Sequence, residues 1–262
     1  VGQCLSRVER YEEAQPWLER AVDEKRQGDV SGQVDHESLG ISLHEVGLSL
    51  SRAGKYQEAL PWFERAVEEG EQGDRQGRVD HSSLSVSLNE GGICLLRAGK
   101  YKEARQWFER AVDEARKGDI HGRVNHAALG TSLHEVGVCL AIVGDYEAAQ
   151  PWFERAAEEE QQGDVHGRVD HHSLGISLAE AGFCLYQLGK YNEASLLFEE
   201  AIEAKQRGDI FGRVNPASVR RSMEAMVDCL RELGRTEEAQ QWEDTAVKLV
   251  VEEAPGSAEP AS

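Results

Sequence analysis

Three residue patterns in this chain have the chemistry for a reactive or metal-binding site, and all recur at fixed spacing. His44-Glu45 and His134-Glu135 match the opening of the helical H-E-x-x-H motif, where two His four residues apart hold zinc and the Glu is the base. The second His is missing: Leu48 and Val138 stand in its place. A Cys–His hydrolase would need Cys139 to meet a His, but His134 lies five residues earlier on a different helix face, so the pair would have to form across units. Neither G-x-S-x-G nor a P-loop occurs. The third pattern, Gly73-Asp74-x-x-Gly77-Arg78-Val79-Asp80-His81, recurs from Gly118-Asp119, Gly163-Asp164 and Gly208-Asp209. Asp and His this close could be metal ligands. However, the second Asp suits a helix N-cap, accepting a hydrogen bond from a free N–H. The His is replaced by Pro216 in one copy, and Arg78, Arg123, Arg168 and Arg213 put positive charge where a cation would sit. The pattern reads as turn punctuation, and no catalytic residue, metal or cofactor is expected.

Cys4, Cys94, Cys139, Cys184 and Cys229 share one column, with Ser49 in the sixth place. Packed helices lie about 8–10 Å apart, whereas a disulfide needs Cα atoms within about 7 Å. These thiols are expected to be reduced, buried fillers, which suits a cytoplasmic location. The chain has 262 residues, with Lys+Arg 29 against Asp+Glu 48, a net charge of −19. No run approaches the length of apolar sequence that spans a membrane. The negative balance without a basic run argues against nucleic acid or an anionic membrane as partner.

The elements that position these residues repeat every 45 residues. Val46-Gly47-Leu48 recurs as Gly91-Gly92-Ile93, Val136-Gly137-Val138 and Ala181-Gly182-Phe183, and Tyr11, Tyr56, Tyr101, Tyr146 and Tyr191 keep the register. Each unit reads as two helices. Asp35 caps the first, and Leu39, Leu43, Val46 and Leu50 form one stripe before Gly54-Lys55 stops it. Tyr56, Ala59, Phe63, Ala66 and Val67 stripe the second, which Gly73 closes. Asn215-Pro216 is a cap followed by Pro, the pair expected where a helix starts. Gly47, Gly92, Gly137 and Gly182 lie inside the first helix, where Gly costs about 1 kcal/mol relative to Ala. Their recurrence predicts a close approach to a neighbouring helix. Strand signals are absent, and hairpins that each bury a stripe against the next make a solenoid.

The column pattern Leu43-x-x-Val46-Gly47-x-x-Leu50-x-x-x-Gly54-x-Tyr56-x-x-Ala59-x-x-x-Phe63-x-x-Ala66 resembles the tetratricopeptide repeat, nearest to the longer form of kinesin light chains, although 45 residues exceeds either form. Asp80-His81, Asn125-His126 and Asp170-His171 look like the loop that joins units in that form. The resemblance implies an all-α, right-handed solenoid of about six hairpins. Its first helices would line a concave groove that binds peptides or partner helices. We expect the array over residues 1–250, with a truncated first unit and a cap-like last one, and a flexible acidic tail over 251–262. The chain looks like a fragment of something longer.

On that geometry the exposed concave face carries His44, Asn89 and His134, then one turn on Leu48, Ile93, Val138 and Phe183, beside an acidic ladder of Glu45, Glu90, Glu135 and Glu180. An apolar floor with an acidic wall suits a protein or peptide partner with hydrophobic anchors and Lys or Arg flanks. The partner could be another domain of the same full-length protein. The expected function is a non-enzymatic interaction scaffold. The competing readings are a Cys–His hydrolase and an architectural spacer without a ligand.

Overall fold

Local signals place the helices. Asp35 accepts from Ser38 N at 3.0 Å, Asn125 from Ala128 N at 3.2 Å and Asn215 from Ser218 N at 3.1 Å, each satisfying a donor that the helix start leaves free. After the first helix of the second hairpin, Gly54 takes φ +77°. The chain turns there, with Lys55 N donating to Leu50 O at 2.9 Å. The computed structural model describes residues 1–253. Among these it places twelve α-helices and no strand: α1 (Gly2–Arg7), α2 (Tyr11–Arg26), α3 (His36–Arg52), α4 (Tyr56–Gly70), α5 (His81–Arg97), α6 (Tyr101–Lys117), α7 (His126–Ile142), α8 (Tyr146–Glu160), α9 (His171–Gln187), α10 (Tyr191–Arg207), α11 (Pro216–Glu232) and α12 (Thr236–Glu253). Residues 254–262, most of the expected tail, lie outside the described residues, and α12 runs through the tail's first three positions.

The helices form six hairpins, each packed on the next, in a right-handed α-solenoid. First helices of successive hairpins also touch (α3 with α5, α5 with α7, α9 with α11), so they make the closely spaced inner row. The core repeats with the sequence: Leu43, Leu88 and Leu133 from first helices, and Phe63, Phe108 and Phe153 from second helices, are fully buried.

The recurrent glycine is explained by these aromatic rings. A Cβ on Gly47, Gly92 or Gly137 would lie 2.9, 2.6 or 2.8 Å from Cε1 of Phe63, Phe108 or Phe153, sixteen residues on in the same hairpin. The bare backbone is what lets the two helices of a hairpin close on a large ring. The inter-hairpin loop is equally determined. Gly73 has φ +76°, and a Cβ there would meet Arg78 O at 2.5 Å.

Candidate functional site

The Asp–Arg loops close on themselves. Asp74 Oδ1 accepts from Gln76 N at 2.8 Å and Arg78 N at 3.0 Å, and Arg78 Nε donates to Asp74 Oδ2 at 2.8 Å. Loops at Asp119, Asp164 and Asp209 repeat this with Arg123, Arg168 and Arg213. Those arginines, with the loop N–H groups, hold the three Asp carboxyls down at about 2. The neighbouring His of the motif is engaged elsewhere: His36, His81 and His126 Nδ1 lie 2.7, 2.6 and 2.6 Å from carboxylates of Glu69, Glu114 and Glu159. These pairs tie the start of a hairpin's first helix to the end of its second. Among the described residues, no group of three or more His, Cys, Asp or Glu could hold a metal ion.

Four of the five cysteines are buried and all five are free. Burial pushes the thiols of Cys94 and Cys229 up to about 11 and those of Cys139 and Cys184 up to about 12. Cys4 departs from the expected burial and is exposed, because α1 and α2 give it no cover like that of Ser51, in the preceding hairpin, beside Cys94. The thiolate is the nucleophile, so a raised thiol is inert. Under native conditions, iodoacetamide is expected to label Cys4 within minutes. The other four should react only after denaturant is added. Peptide mass spectrometry would read this directly, and a fast-reacting Cys139 would revive the hydrolase reading.

The inner row differs from expectation at one column. His44, Asn89 and His134 are not free on the surface, because each bonds to a serine 43 residues on, in the next hairpin. His44 Nδ1 lies 3.0 Å from Ser87 Oγ, Asn89 Nδ2 donates to Ser132 Oγ at 2.7 Å, and His134 Nδ1 lies 3.0 Å from Ser177 Oγ. Ser87 Oγ donates to Ser83 O at 3.2 Å, so His44 must supply its own proton from Nδ1. The imidazoles also pack edge to face with the rings of Phe63 and Phe153, with centroids 5.4 and 5.1 Å apart. Burial brings both His down to about 4, so they are neutral.

The apolar column one turn on is half-covered: Leu48, Ile93 and Val138 pack against the core clusters. Phe183 stays 41% exposed, with its ring 5.9 Å from that of Tyr146 in the preceding hairpin. Beside them the acids Glu45, Glu90, Glu135 and Glu180 are half-buried. Burial raises the carboxyls of Glu90, Glu135 and Glu180, opposed by Arg52 at Glu90, by Arg97 at Glu135, and by Lys205 and Arg221 at Glu180.

Sequence reasoning missed the column that is open. Ile41 and Val86 are each 44% exposed on first helices. They line a crevice of about 450 Å³ between α3, α4 and α5, with Val165 from a later loop, the acids Glu37 and Asp80, and the Asp119–Arg123 pair around it. Gly40 and Gly70 are among its lining residues. A second crevice of about 450 Å³ occupies the equivalent place between α9, α10 and α11. Ala179, in the His44 column, leaves Phe198 lining it. The signal is present in the sequence as Ile41, Val86 and Ile176 at 45-residue steps, Thr131 interrupting.

Comparison with known proteins agrees with this architecture. Tetratricopeptide repeat profiles match residues 1–68, 88–119 and 177–207, together half of the chain. No curated protein matches the sequence. Among solved structures, BtubC (BKLC) from P. vanneervenii superposes with a TM-score of 0.71 at 16% identity, covering 96% of both chains. A putative kinesin light chain of Podosopora anserina with nearly identical TPR-like repeats gives 0.59 at 18% identity, over 82% of this chain and 97% of that one. YrrB, a TPR protein with an unusual peptide-binding site, gives 0.56 at 18% identity, over 88% and 91%. At such identities the likeness is one of fold. With six hairpins in register and three profile matches along it, the chain belongs to the tetratricopeptide repeat family.

Proposed function

We propose that this array is a protein-interaction scaffold without catalysis of its own, which holds a segment of a partner protein on the inner row of first helices. The observation that carries the reading is the crevice at Ile41 and Val86, open and apolar at its base and rimmed by Glu37, Asp80 and the Asp119–Arg123 pair. Family membership supports an interaction role, and a fold neighbour is described as having a peptide-binding site. The site we assign comprises Ile41 and Val86 together with the sequence-derived columns Leu48, Ile93, Val138 and Phe183 and the acids Glu45, Glu90, Glu135 and Glu180. His44, Asn89 and His134 set the stacking of the hairpins beneath it. A charge of −19 favours a segment with apolar anchors and Lys or Arg flanks over nucleic acid or an anionic membrane. Such a segment could belong to another domain of the full-length protein. Among the described residues no helix is long and apolar enough to cross a membrane, and the free thiols suit the cytoplasm.

Binding of fluorescent peptides tests this. A Leu-rich peptide with Lys flanks is expected to bind at least tenfold more tightly than the same peptide with Glu flanks, and Ile41→Glu with Val86→Glu should weaken binding by roughly 2–3 kcal/mol. Both positions are solvent-facing, so the melting temperature should barely move. Equal binding of the two peptides, or binding indifferent to the Glu substitutions, contradicts the groove.

A further inference from the structure

One column changes its chemistry at each step of an otherwise repeated sequence: Lys25, Gly70, Ala115, Glu160 and Lys205. Each lies at or near the end of a second helix, in the angle between the first helix of its own hairpin and that of the next. The two cationic copies are satisfied by the following hairpin: Lys25 Nζ donates to Ser38 O at 2.8 Å, and Lys205 Nζ to Ser222 Oγ at 2.7 Å. Glu160 is not. It is 5% exposed, yet its Oε2 has no hydrogen-bond partner. A Cβ on Gly130 would fall 2.5 Å from Glu160 Cγ, so α7 gives the side chain room only because that residue is glycine. Glu160 lines a crevice of about 220 Å³ with Asn125, Thr131, Asp164, Asp170 and Ser173, and no Lys or Arg is among the lining residues.

We propose that this crevice is the array's socket for a cationic side chain, a Lys ammonium or an Arg guanidinium, of the bound segment. The inference rests on the groove reading and makes it specific. An unpartnered buried carboxylate oxygen is costly, and a cation supplies the donor it lacks. Asp164 is already occupied by Arg168 and Asp170 by the cap of α9, which leaves Glu160 as the acceptor with capacity to spare. The crevice holds an ammonium or guanidinium with part of its stem but is half the size of the apolar one. Two hairpins separate them, roughly 20 Å at the usual helix packing distance, which about six extended residues span. A bound segment would therefore carry its cation about six residues from its apolar anchor.

The probes are end-blocked fluorescent peptides with a Leu-Leu anchor and, six residues away in either direction, Lys or norleucine. Burial, countered by the Ser177 hydroxyl and reinforced by Asp170, holds the Glu160 carboxyl at about 7. The preference for Lys should then be about tenfold at pH 8 and nearly vanish by pH 6, where only about a tenth of the carboxyl is ionised. Facing groups titrate outside this range: His134, reached through Ser177, at about 4, and Asp164 at about 2. Glu160→Lys should erase both the preference and its pH dependence. The substitution suits the fold, because Ser173 and Ser177 stand where Ser218 and Ser222 receive Lys205. Glu160→Ala, the residue of the Ala115 copy, serves if that variant melts early. Glu68→Lys, exposed on α4, makes the same net charge change and should leave the preference intact. A pH slope surviving in Glu160→Lys has a source other than Glu160 and counts against the socket. A Lys preference unchanged by Glu160→Lys or Glu160→Ala overturns it. If the norleucine peptide binds in an Ile41-dependent way without a Lys preference, the socket falls and the groove stands. If neither peptide binds, both fall.

Discussion

Phe153→Ala is expected to destabilise the array by about 3–5 kcal/mol. The ring is 0% exposed and is held between the bare backbone at Gly137, the His134 ring with its centroid 5.1 Å away and the apolar residues of the fourth and neighbouring hairpins. Its loss leaves a cavity that two rigid helices cannot collapse. The diagnostic experiment is the effect of Gly137→Ala in the two backgrounds. Beside the intact ring, the new Cβ lies 2.8 Å from Cε1, and overpacking of this kind costs about 1–3 kcal/mol. That exceeds the gain of about 1 kcal/mol that Ala brings over Gly in a helix. In the Phe153→Ala background the obstruction is gone, so the same substitution should stabilise by about 1 kcal/mol. Urea unfolding followed by far-ultraviolet circular dichroism would show the change of sign, a coupling expected only of residues in contact. Additive effects would mean that the glycine recurs between repeats for some reason other than the ring.

The second large effect concerns pH. Glu160→Gln is expected to raise stability at pH 8 by about 3 kcal/mol and to leave it little changed near pH 4.5. Burial, set against the Ser177 hydroxyl and helped by Asp170, lifts this carboxyl to about 7 in the folded array from 4.5 in the unfolded chain. The folded state therefore holds the proton more tightly than the unfolded one. As pH rises from 4.5 to 7 the unfolded chain gains by ionising while the folded array cannot, so stability is lost across that window and the loss is constant above it. Each tenfold difference in proton affinity between the two states corresponds to about 1.4 kcal/mol. The side chain is nearly inaccessible, so solvent screening removes little of this. The low-lying Asp119, Asp164 and Asp209 carboxyls act in the opposite sense, being lost as stabilisers when pH falls toward 2, but they are common to both proteins. Denaturant midpoints of parent and variant from pH 4.5 to 8 should converge at the acid end. Parallel curves would show that Glu160 is hydrated.

Periodicity makes most of the fold legible. The stripes of Leu39, Leu43, Val46 and Leu50 and the caps at Asp35 and Asn215 are decided within one hairpin, and the structure places them as read. The close approach expected at the recurrent glycines is there too, with the phenylalanine ring as the partner that the sequence did not name. What periodicity within a helix cannot specify is which columns meet between hairpins. His44, Asn89 and His134 read as surface residues because their serine partners lie 43 residues away, at a distance fixed by the stacking of units and not by either helix. The same limit hides Ile41 and Val86, whose exposure depends on how far the next first helix stands off. Glu160 escapes a sequence reading for a different reason. Aligning repeats brings out what they share, and this column is informative because it differs.

The seams between hairpins also bear on how such a chain can change over generations. Each hairpin closes on the same glycine and phenylalanine columns, three successive junctions share a serine column, and each hairpin touches little beyond its neighbours. A copying error that duplicates or deletes one 45-residue module therefore creates no unfamiliar seam to be repacked. Such an array can grow or shrink in length without refounding its interior. Only the electrical character set by Lys25, Gly70, Ala115, Glu160 and Lys205 must be matched anew, so the order of those five side chains is the inheritance that a shuffled array would risk losing.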